Sequence, residues 1–241
     1  MTILEVRGIS RRFGGLQALS DVTFSVPKGQ IVGLIGPNGA GKTTFFSTLV
    51  GLIRPDKGSV LLDGKPLAGL KPHKVAALGM TKTFQNVALF GDSSVLDNVL
   101  TAGLLRHDVD AAREEALKCL DRVGLKSIAQ KQAGTLSFPE RARIELARAL
   151  CTGPKILLLD EVMAALNPVE MQEIMDLIRT LRDDGITLLV VEHHMRAIMT
   201  VCDRILVLNF GRLLADGTPE QVANDPKVVE AYLGRSMEKR T

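Results

Sequence analysis

Gly36-Pro37-Asn38-Gly39-Ala40-Gly41-Lys42-Thr43 decides the fold. The octet fits G-x-x-x-x-G-K-[ST], and its flanks supply the context this pattern requires. Upstream, Gln30-Ile31-Val32-Gly33-Leu34-Ile35 reads as a short buried strand. Downstream, residues 44–50 contain no breaker and predict a helix that Gly51 stops. Strand, glycine-rich loop and helix form a phosphate cradle. The glycines let backbone N–H groups turn inward around a triphosphate with no Cβ in the way, and the helix N-terminus adds the positive end of its dipole. Gly36, Pro37, Asn38, Gly39, Ala40, Gly41 and Thr44 are therefore the expected lining. Lys42 is placed to reach the outer phosphates and the Thr43 hydroxyl to sit on Mg²⁺. The loop implies a nucleoside triphosphate, without saying what its energy serves.

Ile156-Leu157-Leu158-Leu159-Asp160-Glu161 is four apolar residues followed by two carboxylates. The run is short enough for a central parallel strand. Asp160, at the strand's end, is placed to bind Mg²⁺ opposite Thr43. Glu161 stands one residue further, where it can orient or deprotonate a water attacking the γ-phosphate. A second strand end, Val190-Val191-Glu192-His193-His194, puts His193 where it can face the ligand crevice of an open sheet and hydrogen-bond the same phosphate. A zinc site at His193-His194 is disfavoured, because adjacent residues on one helical turn point apart.

Composition limits the alternatives. The 241 residues are 46% hydrophobic, enough for a sizeable core, and the net charge of +3 leaves no strong nucleic-acid footprint. There is no run of 18 apolar residues to span a bilayer, and residues 1–13 carry charges and glycine where a signal peptide needs an apolar stretch. Cys119, Cys151 and Cys202 are too scattered for a disulfide framework or a metal set, which suits a reducing cytosol.

Along the chain, residues 3–7 and 22–26 alternate like strands, with a turn-rich loop expected at 10–15. Strands are expected at 58–64 and 80–84, with a short helix at 72–78 between them. Helical periodicity then dominates residues 94–105, 111–123 and 137–151. Strand and helix alternate again: strands at 155–160 and 186–191, helices at 169–181 and 193–201, and a hairpin around Asn209-Phe210-Gly211. Two short helices close the chain, each opened by a cap residue and a proline, Thr218-Pro219 and Asp225-Pro226. The sum is an α/β nucleotide-binding core interrupted by an all-helical segment.

The phosphate loop, Gln85 after a strand, Ser137 ahead of the 156–160 strand, Glu161 and the late His193 fall in the order and spacing of the ATP-binding-cassette (ABC) ATPases, which the chain resembles along almost its whole length. The resemblance implies a P-loop NTPase core of residues 1–85 and 155–241, with an N-terminal antiparallel β region and an inserted helical signature subdomain at 86–154. It implies that Phe13 stacks on adenine and that Gln85 touches Mg²⁺ and the attacking water and links the site to the membrane partner. Asp160 is similar to the family's magnesium carboxylate, Glu161 to its catalytic base and His193 to its switch histidine. Thr83-Phe84-Gln85-Asn86-Val87-Ala88-Leu89-Phe90, Ala165-Leu166-Asn167-Pro168 and the tail Asp225-Pro226-Lys227-Val228-Val229-Glu230-Ala231-Tyr232-Leu233-Gly234 resemble the ATPase subunit of branched-chain amino acid importers. Subunits for lipid or lipopolysaccharide export have similar tails. The implied cofactors are ATP and Mg²⁺. The implied partners are transmembrane permease subunits, a second ATPase subunit of a different chain docked head to tail and, indirectly, a solute-binding protein, with the chain at the cytoplasmic face of the membrane. A soluble ABC ATPase acting on DNA or ribosomes would need long coiled coils, a tandem cassette or basic patches, and a GTPase would show Asn-Lys-x-Asp; the sequence has none of these.

Three stretches depart from the family pattern. The usual Leu-Ser-Gly-Gly-Gln signature is here Leu136-Ser137-Phe138-Pro139-Glu140. Ser137 is retained, and Ser137-x-x-Glu140 is a capping box that starts a helix well. Pro139, however, offers no N–H to a partner's γ-phosphate, a missing charge-assisted bond of about 1.5–3 kcal/mol. Asn167 stands where aspartate is common and, with Pro168 and Glu170, reads as a helix cap. Val162 replaces a common proline, with no functional meaning attached.

Overall fold

The computed structural model describes residues 1–84, 88–164 and 166–238, with side chains through Tyr232. The strands are β1 (Thr2–Phe13), β2 (Leu16–Pro27), β3 (Ile31–Ile35), β4 (Lys57–Leu62), β5 (Lys65–Pro66), β6 (Met80–Lys82), β7 (Ile156–Asp160), β8 (Thr187–Val191), β9 (Arg204–Asn209) and β10 (Arg212–Gly217). Helix α1 (Lys42–Leu49) follows β3, and α2 (Pro72–Leu78) precedes β6. Helices α3 (Val95–Gly103), α4 (Val109–Arg122) and α5 (Phe138–Cys151) separate β6 from β7. The remaining helices are α6 (Pro168–Asp183), α7 (Met195–Val201), α8 (Pro219–Ala223) and α9 (Pro226–Glu238).

Two sheets result. One is antiparallel, in the order β2-β1-β4-β5; the other runs β10-β9-β3-β8-β7-β6 and is parallel from β9 to β6. Strands β3, β7 and β8 are buried throughout, as parallel strands covered on both faces must be. Their alternating side chains feed two cores. Val32, Leu34, Leu158 and Leu189 pack with Phe45, Phe46 and Leu49 of α1 and with the antiparallel sheet. Ile31, Ile35, Leu157 and Val190 face the other way, into a cluster shared with α6, α7 and the α3–α5 helices. The phosphate loop follows β3, Asp160 closes β7 and His193 follows β8, so parallel neighbours bring three chemical elements to one sheet edge. In open α/β sheets that edge is where ligands bind.

Some boundaries differ from the sequence expectation. The loop expected at 10–15 shrinks to a Gly14-Gly15 turn, because Arg11, Arg12 and Phe13 pair with Leu19, Gln17 and Leu16. The 80–84 strand ends at Lys82, and the helix expected from His193 starts at Met195. Helix α9 has 13 residues, longer than the short closing helix expected.

Candidate active site

The loop after β3 is backed by main chain on one side. A Cβ on Gly36 would lie 2.1 Å from the Leu208 carbonyl oxygen, and one on Gly41 would lie 2.6 Å from that of Ala18. Gly41 also takes φ 105°, a left-handed backbone that favours glycine, and caps α1. The β9–β10 turn is tied to the loop, Gly211 N–H donating to Ala40 O at 2.9 Å and Ser20 N–H to Gly211 O at 2.8 Å. Burial pushes the pKa of the Tyr232 phenol, on α9, up to about 12, offset in part by the nearby Gly36 N–H. The Lys42 ammonium folds over the loop, donating to Gly36 O at 2.7 Å and Pro37 O at 3.3 Å. A cradle this close to neighbouring backbone, opening at a helix N-terminus, fits a phosphate chain.

In front of the cradle lies a cleft of about 390 Å³. Residues 38–44, Phe13, Leu16, Gln17, Ala18, Phe210, Glu161 and His193 line it. The Arg11 guanidinium sits 4.8 Å from the centroid of the Phe13 ring, covering one of its faces.

At the ends of β7 and β8 the polar groups are closely engaged. Glu161 N–H donates to Val191 O at 2.9 Å, and the Glu161 carboxylate lies 2.7 Å from His193 Nε2. Asp160 is buried; its N–H donates to the Thr83 hydroxyl at 3.0 Å, and its carboxylate pairs with Lys82 Nζ at 3.1 Å. Lys82 lies 4.9 Å from the centroid of the Phe84 ring. Glu192, also buried, accepts the Met163 N–H at 2.7 Å. Its pKa is pushed up to about 7, first by burial and then by the Glu161 and Asp160 carboxylates.

Gln85 lies outside the described residues, as do Asn86, Val87 and Ala165. The residues flanking that gap are held by α5. The Phe84 N–H faces the Glu145 carboxyl and lowers its pKa in part, and Arg148, paired with Glu145 at 3.1 Å, donates to Ala88 O at 3.0 Å. Burial raises the pKa of Glu145. At the start of the same helix, Ser137 donates its N–H at 2.8 Å and its hydroxyl at 2.7 Å to Glu140, whose carboxyl these bonds hold below its ordinary pKa. Asn167 caps α6 by accepting the Val169 and Glu170 N–H groups, as its sequence context indicates.

The cleft thus gathers Phe13, the phosphate loop, Glu161 and His193. Asp160 and Ser137 are not among its lining residues; Asp160 borders a small neighbouring cavity with Thr83, Phe84, Phe138 and Glu161. Sequence reasoning missed Lys82, Glu192 and Phe210. The lysine and the glutamate belong to no spacing pattern; the only signal is a charge directly after the apolar run 188–191 for Glu192, and a charge between two threonines for Lys82.

The family model for ABC transporters matches residues 19–164, and a model for branched-chain amino acid ATP-binding cassette transporters matches residues 212–237. The chain is 43% identical to BraF, the high-affinity branched-chain amino acid transport ATP-binding protein of Pseudomonas aeruginosa, over 97% of this chain and 98% of that protein. Identity to the Escherichia coli LivG protein, which carries the same description, is 42% over the same shares. Identity to the lipopolysaccharide export system ATP-binding protein LptB of Haemophilus influenzae is 36%, again over 97% and 98%. Among solved structures, a nucleotide-free ATP-binding cassette from an ABC transporter superposes with TM-score 0.89 at 30% identity, covering 96% of this chain and 99% of that one. An ADP-bound cassette gives TM-score 0.88 at 30% identity, covering 97% of this chain and 99% of that one.

Proposed function

The chain belongs to the ABC transporter family of ATP-binding proteins, and from that premise we propose that it is the ATPase subunit powering uptake of branched-chain amino acids. The BraF and LivG relatives support that cargo, as does the match of residues 212–237 to a branched-chain amino acid transporter model. The lower identity to LptB makes an export role the weaker reading. The observation that carries the chemistry is the Glu161–His193 contact of 2.7 Å, facing the same cleft as the phosphate loop.

In this reading residues 36–44 hold the phosphates and Phe13 stacks on adenine with the ring face that Arg11 leaves uncovered. Glu161 accepts the proton of the attacking water. His193 turns from Glu161 to the γ-phosphate, and Gln85 aligns the water. Thr43, Asp160 and Gln85 would hold Mg²⁺, whose charge when bound offsets that of the β- and γ-phosphates. The cradle's close backbone and a buried acid at a strand end suit that load. The same reading divides the chain into a nucleotide-binding core, 1–85 and 155–241, and a helical signature subdomain, 86–154. No helix among the described residues is long and apolar enough to cross a membrane. The subunit docks on permease subunits at the cytoplasmic face of the membrane. Its Ser137 completes the ATP site of a second, different ATPase subunit, and a solute-binding protein delivers the cargo.

Glu161→Gln tests the assignment. Turnover should fall by about 10²–10⁴-fold, the range for losing a general base, while an ATP titration stays unchanged. Near-normal turnover would remove Glu161 from its role.

A further inference from the structure

Glu161 has φ 55°, a left-handed backbone that a residue with a Cβ holds only when its surroundings impose it. Two bonds flank it here, besides the turn bond from Ala164 N–H to the Glu161 carbonyl at 3.3 Å. Glu161 N–H donates to Val191 O, and two residues on, Met163 N–H donates to the Glu192 carboxyl at 2.7 Å. The first is main chain to main chain, which many sequences would preserve. The second depends on one side chain. Glu192 directly follows β8 and precedes His193, so its bond to Met163 ties the loop after β7 to the loop after β8.

A carboxyl only 3% exposed is unfavourable unless its contacts compensate. The charged groups influencing Glu192 are the carboxylates of Glu161 and Asp160, and neither stabilises a negative charge there. The position is therefore a poor choice for a purely structural acid.

We propose that Glu192 is a positioning residue for ATP hydrolysis. By accepting the Met163 N–H from its place beside His193, it holds Glu161 in its left-handed conformation and presents it and His193 together to the cleft. The proposal rests on the reading of Glu161 as the base. It requires an oxygen at the end of a glutamate-length side chain, not a full negative charge.

The test compares steady-state ATP turnover, ATP affinity and thermal melting for Glu192→Gln, Glu192→Ala and Glu192→Asp in the assembled transporter, with Glu161→Gln in parallel. Gln keeps the reach and the acceptor oxygen and should retain kcat within about threefold. Ala and Asp lose the reach. Their kcat should fall by about tenfold or more, with ATP affinity within about threefold of wild type, as expected for misplaced catalytic geometry. If Ala does not fold, the Gln and Asp pair decides, since one keeps reach without charge and the other charge without reach. Wild-type kcat in Ala or Asp would overturn the proposal, as would a Gln variant as slow as Asp. A parallel loss of affinity, turnover and melting temperature would make Glu192 merely structural and would overturn it too. Retained turnover in Glu161→Gln would instead overturn the base assignment, so the two failures are distinguishable.

Discussion

Glu192 keeps a carboxyl inside the protein with a pKa near 7, against an ordinary 4.5, and stability should register the difference. The folded chain holds that proton more tightly than the unfolded chain. The contribution is therefore fully present below pH 4.5 and is lost as pH rises through 7, reaching about 3 kcal/mol by linkage. Glu192→Gln removes the ionisation. Its stability relative to wild type should increase between pH 5 and pH 8, measured by denaturant unfolding at both. An offset equal at the two pH values would show that the group does not titrate as described. The residue-scale limits of the sequence follow from the same site. Lys42, Asp160, Glu161 and His193 were legible because each sits at a fixed step from a strand end, and strand ends are readable from apolar runs. Lys82 was not, since its meaning comes from the Asp160 carboxylate of a strand far along the chain. Phe210 was read only as part of a turn, and its place beside the cradle depends on the tie from Gly211 to Ala40.

At the scale of elements, local rules carried most of the reading. The Ser137–Glu140 bonds at the start of α5 and the Asn167 cap of α6 follow from short sequence boxes. The 10–15 segment failed because Arg11 and Arg12 look like loop residues, whereas strand pairing with Gln17 and Leu19 governs them. Pro139 is where local and functional demands separate. Near the start of α5 proline is well tolerated, having no intrahelical bond to lose. In the composite site proposed above it would withhold an N–H that the family's glycine would offer. Pro139→Gly in the assembled transporter should raise ATP turnover at subsaturating ATP by about tenfold, the lower end of the 1.5–3 kcal/mol expected for one charge-assisted bond. Unchanged turnover would mean that this position faces no phosphate. A lower melting temperature should accompany the substitution, because Pro139 already fits the first turn of α5 and glycine gives the unfolded chain more freedom to lose, about 0.4–1 kcal/mol.

For the molecule as a whole, the decisive feature is how Ser137 and the cleft are placed. The cleft is lined by the phosphate loop, Phe13, Glu161 and His193 of one chain, while Ser137 is not among its lining residues and donates its hydroxyl to Glu140. The C-terminal tail also has a physical role within the same chain, since Val228 and Tyr232 of α9 pack into the core that backs the sheet. One chain thus braces its own sheet but does not close the cleft with its own signature residue. Turnover should then require two chains, and the isolated protein should show specific activity that rises with its concentration across the range where dimers form. Adding the different ATPase subunit proposed above should raise it further, because the Pro139-bearing signature would then cover only one of the two sites. Turnover per chain that stays constant under dilution, with light scattering reporting a monomer throughout, would show that a single chain completes its own catalytic site.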